Sequence, residues 1–275
     1  MPELPEVEIA TRNLRAWATG RTLVSLEASR GTAYVFRPAG AARLARALEG
    51  ATFRSFERRG KQMLARLERE GEPVGLLAHL GMTGKWLRRR AGEPVPRFSR
   101  ARLALDDGHV LHLVDLRLFG RLRAVPGARF DEVAELAALG PDPLVDGIDV
   151  ERLGAALRRS RLPVKVRMMD QAILPGVGNI MAGEACFRAR IDPRRRGSSL
   201  GSAEVARLAG SVVDAMKDAI AREQGPEIAY VEEGGENPFL VYDRAGQRCP
   251  RCRRGRIARL VQAGRSTYRC PRCQR

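Results

Sequence analysis

Residues 1–8 read Met1-Pro2-Glu3-Leu4-Pro5-Glu6-Val7-Glu8, which sets two prolines and three carboxylates at the head of a strongly basic chain. From there Val7, Ala10, Leu14 and Trp17 recur at helical spacing, predicting one amphipathic helix over residues 5–17, ended at Gly20. Short apolar runs follow at 22–26, 51–56, 63–67, 74–80, 103–105, 110–114 and 122–125, punctuated by turns such as EGEP (70–73) and DDGH (106–109). That rhythm predicts an antiparallel β layer folded as a sandwich. After Pro126-Gly127 the spacing turns helical, at 132–139, 150–157, 203–222 and beyond Gly178, broken by GPDP and DPRRRGSS. A domain boundary is therefore expected within residues 126–142.

Composition sets the outer limits. The chain has 275 residues, 44% of them hydrophobic, enough for a sizeable core and two domains with a small appendage. Lys+Arg of 49 against Asp+Glu of 32 gives a net charge of +17, which points to nucleic acid or another polyanion as partner. No run reaches the roughly 20 apolar residues that span a bilayer, and the acidic start lacks the basic and apolar regions of a secretion signal. No membrane partner is expected, and a cytosolic location is. In that compartment disulfides are rare, and Cys186 reads as an inert buried thiol.

The remaining four cysteines form Cys249-Pro-Arg-Cys252 and Cys270-Pro-Arg-Cys273, two CxxC pairs separated by seventeen residues. Four thiolates at this spacing close tetrahedrally on one Zn²⁺ and leave no open position, so the metal is expected to be structural. The surrounding Arg251, Arg253, Arg254, Arg256, Arg265, Arg269 and Arg272 suggest a phosphate-facing surface. In LPGVGNIMAGEA (174–185), glycines precede a helix with Asn179 near its start, and free N–H groups at such a terminus can receive phosphate. In HLGMTG (79–84) and DLRLFG (115–120), Met82 and Phe119 read either as sandwich core or as apolar wedges, with Arg117 beside them.

Taken in order, these stretches resemble the formamidopyrimidine-DNA glycosylase and endonuclease VIII family, and the start MPELPEVE resembles its formamidopyrimidine branch. The resemblance runs through RRGKQMLARL (58–67) and spans essentially the whole chain. It implies an α+β fold: an N-terminal β-sandwich flanked by helices, then a helical helix-two-turn-helix domain with a C-terminal zinc-finger β-hairpin. The implied limits are 1–126 for the catalytic helix and sandwich, 127–142 for a linker, 143–240 for the helical domain and 241–275 for the finger.

By the same resemblance the Pro2 amine, freed by removal of Met1, is the nucleophile that attacks the sugar C1′. Glu3 is the proton donor and acceptor, Glu6 assists at the opened sugar, and Lys61 contacts phosphate and the damaged base. Glu8 is read simply as stabilising the first turn of the helix. His79, Lys165, Asn179 and Arg265 resemble phosphate ligands, with Tyr242 a weaker candidate. Met82, Arg117 and Phe119 resemble the residues that fill the gap left by a flipped nucleotide, Arg117 facing the orphaned base.

The implied function is a bifunctional DNA glycosylase and AP lyase. It would act as a monomer on double-stranded DNA containing oxidised bases or abasic sites, taking formamidopyrimidines and 8-oxoguanine before oxidised pyrimidines. A non-catalytic paralogue that only binds damaged or single-stranded DNA is the alternative. Two departures stand out. Leu116 and Leu118 replace a proline and a phosphate-contacting arginine, which implies weaker DNA binding. The segment 226–237 is short and acidic, with Glu227, Glu232, Glu233 and Glu236 expected to repel phosphate. A broad lesion spectrum follows, with 8-oxoguanine cut comparatively poorly.

Overall fold

The computed structural model describes residues 2–223, 225, 227–228 and 237–275. Two compact units divide the chain between Ala137 and Ala138, with Glu3–Pro5 counted in the second unit and residues 223–228 in the first.

The first unit carries most of α1 (Leu4–Ala18) and eight strands: β1 (Leu23–Ala28), β2 (Thr52–Arg59), β3 (Gln62–Arg69), β4 (Glu72–His79), β5 (Lys85–Arg90), β6 (Ser99–Leu105), β7 (His109–Val114) and β8 (Arg121–Pro126). They form two antiparallel four-stranded sheets, ordered β1-β6-β7-β5 and β2-β3-β4-β8. Phe53, Phe56, Met63 and Leu76 from one sheet meet Trp86, Leu103 and Leu111 from the other, with Leu14 of α1 beside them. This alternation of inward and outward residues is what the period of two in a strand demands. The α1 helix is tied to the sandwich by charge as well as packing. Glu8 pairs with Arg58 of β2 and with Arg12, both at 2.8 Å. Burial alone would raise the Glu8 carboxyl, but hydrogen bonds and charge from Arg58 and Arg12 hold it below its ordinary value. Glu8 is therefore more than a first-turn anion, because its partner Arg58 is almost wholly buried and breaking a buried pair by removing one member is costly.

Three elements differ from the reading of the sequence. KWLRRR, absent from the predicted runs, is strand β5, held by register with β7 and by burial of Trp86 and Leu87. AARLARAL forms α2 (Ala41–Leu48), anchored by the buried Leu44 and Leu48. The helix expected at 132–139 is only a 3-10 turn at Phe130–Glu132 and the single turn of α3 (Ala134–Ala137), since extended backbone at Val133 separates them.

The second unit is helical: α4 (Val150–Arg158), α5 (Val164–Met168), α6 (Asn179–Arg188) and α7 (Ser202–Glu223). Asp149 caps α4 by accepting the Glu151 and Arg152 N–H groups. Two consecutive turns join α5 to α6, closed by Leu174 N–H on the Asp170 carbonyl and Val177 N–H on the Leu174 carbonyl, which is the helix-two-turn-helix arrangement. Val205, Leu208, Val212, Ala215, Met216 and Ala219 line one face of α7 and bury against Leu153, Val164, Met168 and Met181. Strands β9 (Ala258–Gln262) and β10 (Arg265–Arg269) pair as a hairpin through Ala263-Gly264, both at positive φ as a tight two-residue turn requires. Among the described residues, no helix is long and apolar enough to cross a membrane.

Candidate nucleic-acid and catalytic site

In the first unit the candidate residues cluster at the strand ends. Lys61 follows Gly60 in the two-residue turn between β2 and β3, with Gly60 at φ +57°. His79 ends β4. Its Nδ1 accepts the Gly81 N–H at 2.9 Å, which leaves the ring proton on Nε2. Burial, reinforced by Lys61 and Arg121, lowers the His79 pKa to about 4, so the ring is neutral at physiological pH.

The two loops that carry the wedge candidates are locked together by a residue the sequence reading passed over. Asp115 is completely buried. It accepts the Thr83 hydroxyl at 2.6 Å, the Arg117 N–H at 3.1 Å and the Gly120 N–H at 2.7 Å. Gly81, at φ +64°, brings one loop so close to Phe119 and Gly120 of the other that a Cβ would overlap their backbone. The aspartate at the head of DLRLFG was the available signal, because a buried carboxylate in a turn must find donors. With the loops pinned, Phe119 stays 41% exposed, Met82 is half-buried and Arg117 is exposed. Arg117 lies over the Phe119 ring at 5.3 Å. The core reading of Met82 and Phe119 therefore fails. Leu118 takes a left-handed φ of +60° and Leu116 is exposed.

Glu6 is buried in α1. Glu223, half-buried, has its pKa pushed up to about 8 by burial and by the carboxylate of Glu6. The Glu223 carboxyl therefore keeps its proton at neutral pH. Of the acidic segment 226–237, only Glu227, Ile228 and Asn237 are described, so the expectations for Glu232, Glu233 and Glu236 lie outside the described residues. Glu227 is neutralised by Arg89 at 2.6 Å, so it does not repel phosphate as expected.

In the second unit Glu3 caps α6. One carboxylate oxygen accepts the Gly178 and Met181 N–H groups at 2.9 and 3.0 Å, and the other accepts Ile180 N–H at 2.8 Å. This explains the glycines of LPGVGN. A Cβ at Gly178 would strike the Glu3 carboxyl, and one at Gly176 would strike Leu4, whose N–H donates to the Gly176 carbonyl at 3.1 Å. It also corrects a reading of the sequence: the N-terminus of α6 is filled by the protein's own carboxylate and offers no free phosphate cradle. Pro2, buried, is the residue bonded to Glu3.

Lys165, expected at a phosphate, has no exposed surface. Its Nζ donates to Asn179 Oδ1 at 2.5 Å and to Thr267 Oγ1 at 2.8 Å. Burial lowers its pKa to about 8, partly offset by Cys186 and Glu3. Asn179 in turn donates to the Ser266 carbonyl at 3.0 Å. The pair is an internal brace that joins α5 and α6 to the β9–β10 hairpin, at whose turn Arg265 stands exposed. Tyr242 packs edge-on against Phe239 and Tyr268. Glu184 accepts the N–H groups of Leu240, Val241 and Tyr242, at 2.9–3.0 Å, and so fixes the approach to the finger. Cys186 is fully buried and its thiol is pushed up to about 12 by burial, as an inert residue should be.

The sulfurs of Cys249, Cys252, Cys270 and Cys273 lie within 4.8 Å of one another. Cys249 and Cys273 are 3.7 Å apart, and Cys252 and Cys270 are 3.8 Å apart. Zn–S bonds of about 2.3 Å in a tetrahedron require S···S edges of about 3.8 Å, so the four cysteines fit one structural zinc. Not all the nearby arginines are left for phosphate. Arg251 stacks on Phe187 and donates to its carbonyl, Arg256 donates to the Gly246 carbonyl, and Arg269 pairs with Asp192 at 3.0 Å. Arg253, Arg254, Arg265 and Arg272 remain exposed.

Three family models match: the formamidopyrimidine-DNA glycosylase N-terminal domain over residues 1–122, the H2TH domain of the same enzymes over 139–228, and the zinc finger found in FPG and IleRS over 246–275. The formamidopyrimidine-DNA glycosylases of Acidiphilium cryptum and Rhodospirillum centenum are 39% and 38% identical to the chain, with both partners covered over 100% of their length. Among solved structures, the Lactococcus lactis Fpg with abasic-site DNA matches at TM-score 0.87 and 26% identity over 99% of each chain. MutM with DNA containing carbocyclic 8-oxoguanine matches at 0.88 and 26% over 100% of each. With full-length identity of this order and its three domain models in sequence, the chain belongs to the formamidopyrimidine-DNA glycosylase family.

Proposed function

We propose that the chain is a bifunctional DNA glycosylase and AP lyase that removes oxidised bases from duplex DNA through its N-terminal proline. The carrying observation is the seat of Glu3. Three backbone donors fix this carboxylate, and through one peptide bond they restrict where the Pro2 nitrogen can lie. The mature nucleophile requires removal of Met1. Its secondary amine attacks C1′ of the damaged nucleotide, the C1′–N bond to the base breaks, and the base leaves with a proton supplied by an acid. Glu3 is the group assigned to that proton and to the opening sugar, with Glu6 assisting. The attacking nitrogen gives up its proton, the C1′–O4′ bond opens as O4′ takes a proton, and the iminium so formed acidifies the C2′ protons. Loss of one expels the 3′ phosphate by β-elimination, and a second elimination expels the 5′ phosphate.

Lys61, His79 through Nε2–H, and Arg265 are the proposed direct contacts to phosphate. Lys165 and Asn179 act on the same backbone by bracing the hairpin that carries Arg265. Met82, Arg117 and Phe119 fill the gap left by the flipped nucleotide, with Arg117 against the opposite base. One zinc holds the finger and takes no part in the chemistry. The proposed setting is the cytoplasm, on nucleoid DNA, as a monomer. An abasic duplex labelled at either end tests the reaction: β,δ-elimination leaves a phosphate on both new termini, whereas β-elimination alone leaves an unsaturated sugar on one side, and a binding-only paralogue leaves the strand intact.

A further inference from the structure

The outer face of the β2-β3-β4-β8 sheet is open at one end. There Gln62, His79 and Arg121 stand in one cross-strand row, and with Arg37 and Phe119 they border a groove of about 440 Å³. Arg123 and Glu135, the groove's one carboxylate, also line it and pair with each other at 2.6 Å. Arg37 and Arg121 have no carboxylate partner among the described residues. Both are held by a single aromatic ring instead. The Arg121 guanidinium lies 3.3 Å from the centroid of Tyr34 and that of Arg37 lies 5.1 Å from it. Arg121 also donates to the carbonyls of Phe119 and Gly120, at 3.1 and 2.8 Å.

Stacking fixes each plane while leaving edge N–H groups free, which is the state in which a guanidinium takes a phosphate bidentately. A groove with two uncompensated guanidinium groups, a neutral imidazole donor and an exposed aromatic rim has the chemistry of a phosphodiester site. We propose that Arg37 and Arg121, stacked on Tyr34, receive DNA backbone phosphates next to the step entered by Phe119. This adds a binding subsite to Lys61, His79 and Arg265, and it rests on the DNA-repair reading above. The linkage to Phe119 is direct, because the Arg121 guanidinium holds the carbonyl of the wedge residue itself. Phosphate binding there therefore also fixes the wedge loop.

The test is binding of a duplex containing a tetrahydrofuran abasic analogue, and of the same duplex undamaged, by anisotropy across 50–300 mM KCl. Removing one cation that neutralises a phosphate lowers the slope of log Kd against log salt by about 0.9. Arg37→Ala and Arg121→Ala are expected each to reduce the slope by about that amount and to weaken binding roughly 5- to 30-fold at 100 mM salt. Arg54→Ala, whose guanidinium pairs with Glu68, is expected to leave both unchanged. Arg121→Gln keeps the chain length without the charge and replaces the alanine variant if that one melts early. Neutral methylphosphonates placed singly in either strand identify the phosphate, since the sensitive position in the wild type becomes insensitive in Arg121→Gln. Slopes and affinities within twofold of wild type, in folded variants, overturn the proposal. Failure of the parent reading looks different: the wild-type protein itself then shows no preference for the abasic duplex.

Discussion

Replacing Gly178 by alanine tests the seat of Glu3 without substituting a catalytic residue. Gly178 has φ −123° and ψ −157°, backbone that alanine adopts without strain, so any effect must come from the added methyl. That methyl overlaps the Glu3 carboxyl, and the carboxyl has nowhere to move while it accepts three N–H groups. Displacing it leaves those donors without their charged acceptor, at about 1–3 kcal/mol each if dry. Water reaching the vacated terminus offsets part of this, so about 3 kcal/mol is expected, a fall of roughly 10 °C in the melting of the second unit. Displacement of the neighbouring Pro2 nitrogen by about 1 Å should lower single-turnover cleavage of abasic DNA on the order of 100-fold. Binding of uncleavable abasic duplex should change little. The control is Gly210→Ala in α7, where nothing lies within 4 Å of the added carbon, and which should stabilise by about 0.5–1 kcal/mol. Wild-type cleavage and melting in Gly178→Ala would refute the claim that the α6 terminus positions Glu3.

The contribution of Glu223 to stability should be lost as pH rises between 4.5 and about 8, the window in which the folded protein holds a proton on Glu223 that the unfolded chain releases; Glu223→Gln should remove this component from the slope in melts at pH 5–9, and an unchanged slope contradicts it. The His79 ring should titrate near 4 by NMR, the neutral-ring contribution to stability being complete above the unfolded pKa near 6.5 and lost as pH falls through the window to about 4; a midpoint near 6.5 would remove its role as a neutral donor. Purified, reduced protein should contain one zinc per chain, and Cys270→Ser or chelation should unfold the finger and weaken DNA binding, because metal binding is folding energy in so small a segment; metal-free protein with full affinity would contradict this.

The sequence made α1 legible because Val7, Ala10, Leu14 and Trp17 share one face, and the zinc site legible because thiolate chemistry restricts the spacing. The wedge residues were ambiguous for a physical reason: Met82 and Phe119 lie in apolar stretches whose neighbours are core, and only the Asp115 anchor decides that their loops stand away from the sheets. Lys165 was assigned to phosphate by resemblance alone, and its burial was not legible because it depends on Thr267, 102 positions away. The α6 terminus was read as a phosphate cradle because its own occupant, Glu3, lies 175 residues upstream. In each case the missing information was a long-range partner for a polar group.

The proposed mechanism turns on the Pro2 amine, with Glu3 seated beside it, forming the covalent intermediate. Borohydride reduction during reaction with an abasic duplex, followed by proteolysis and mass spectrometry of the cross-linked peptide, tests it directly. A reduced adduct is expected on the N-terminal peptide at Pro2, in protein that has lost Met1, with no trapping when Met1 is retained. An adduct mapped to Lys61 or another lysine, or efficient trapping by the Met1-retaining chain, would contradict it.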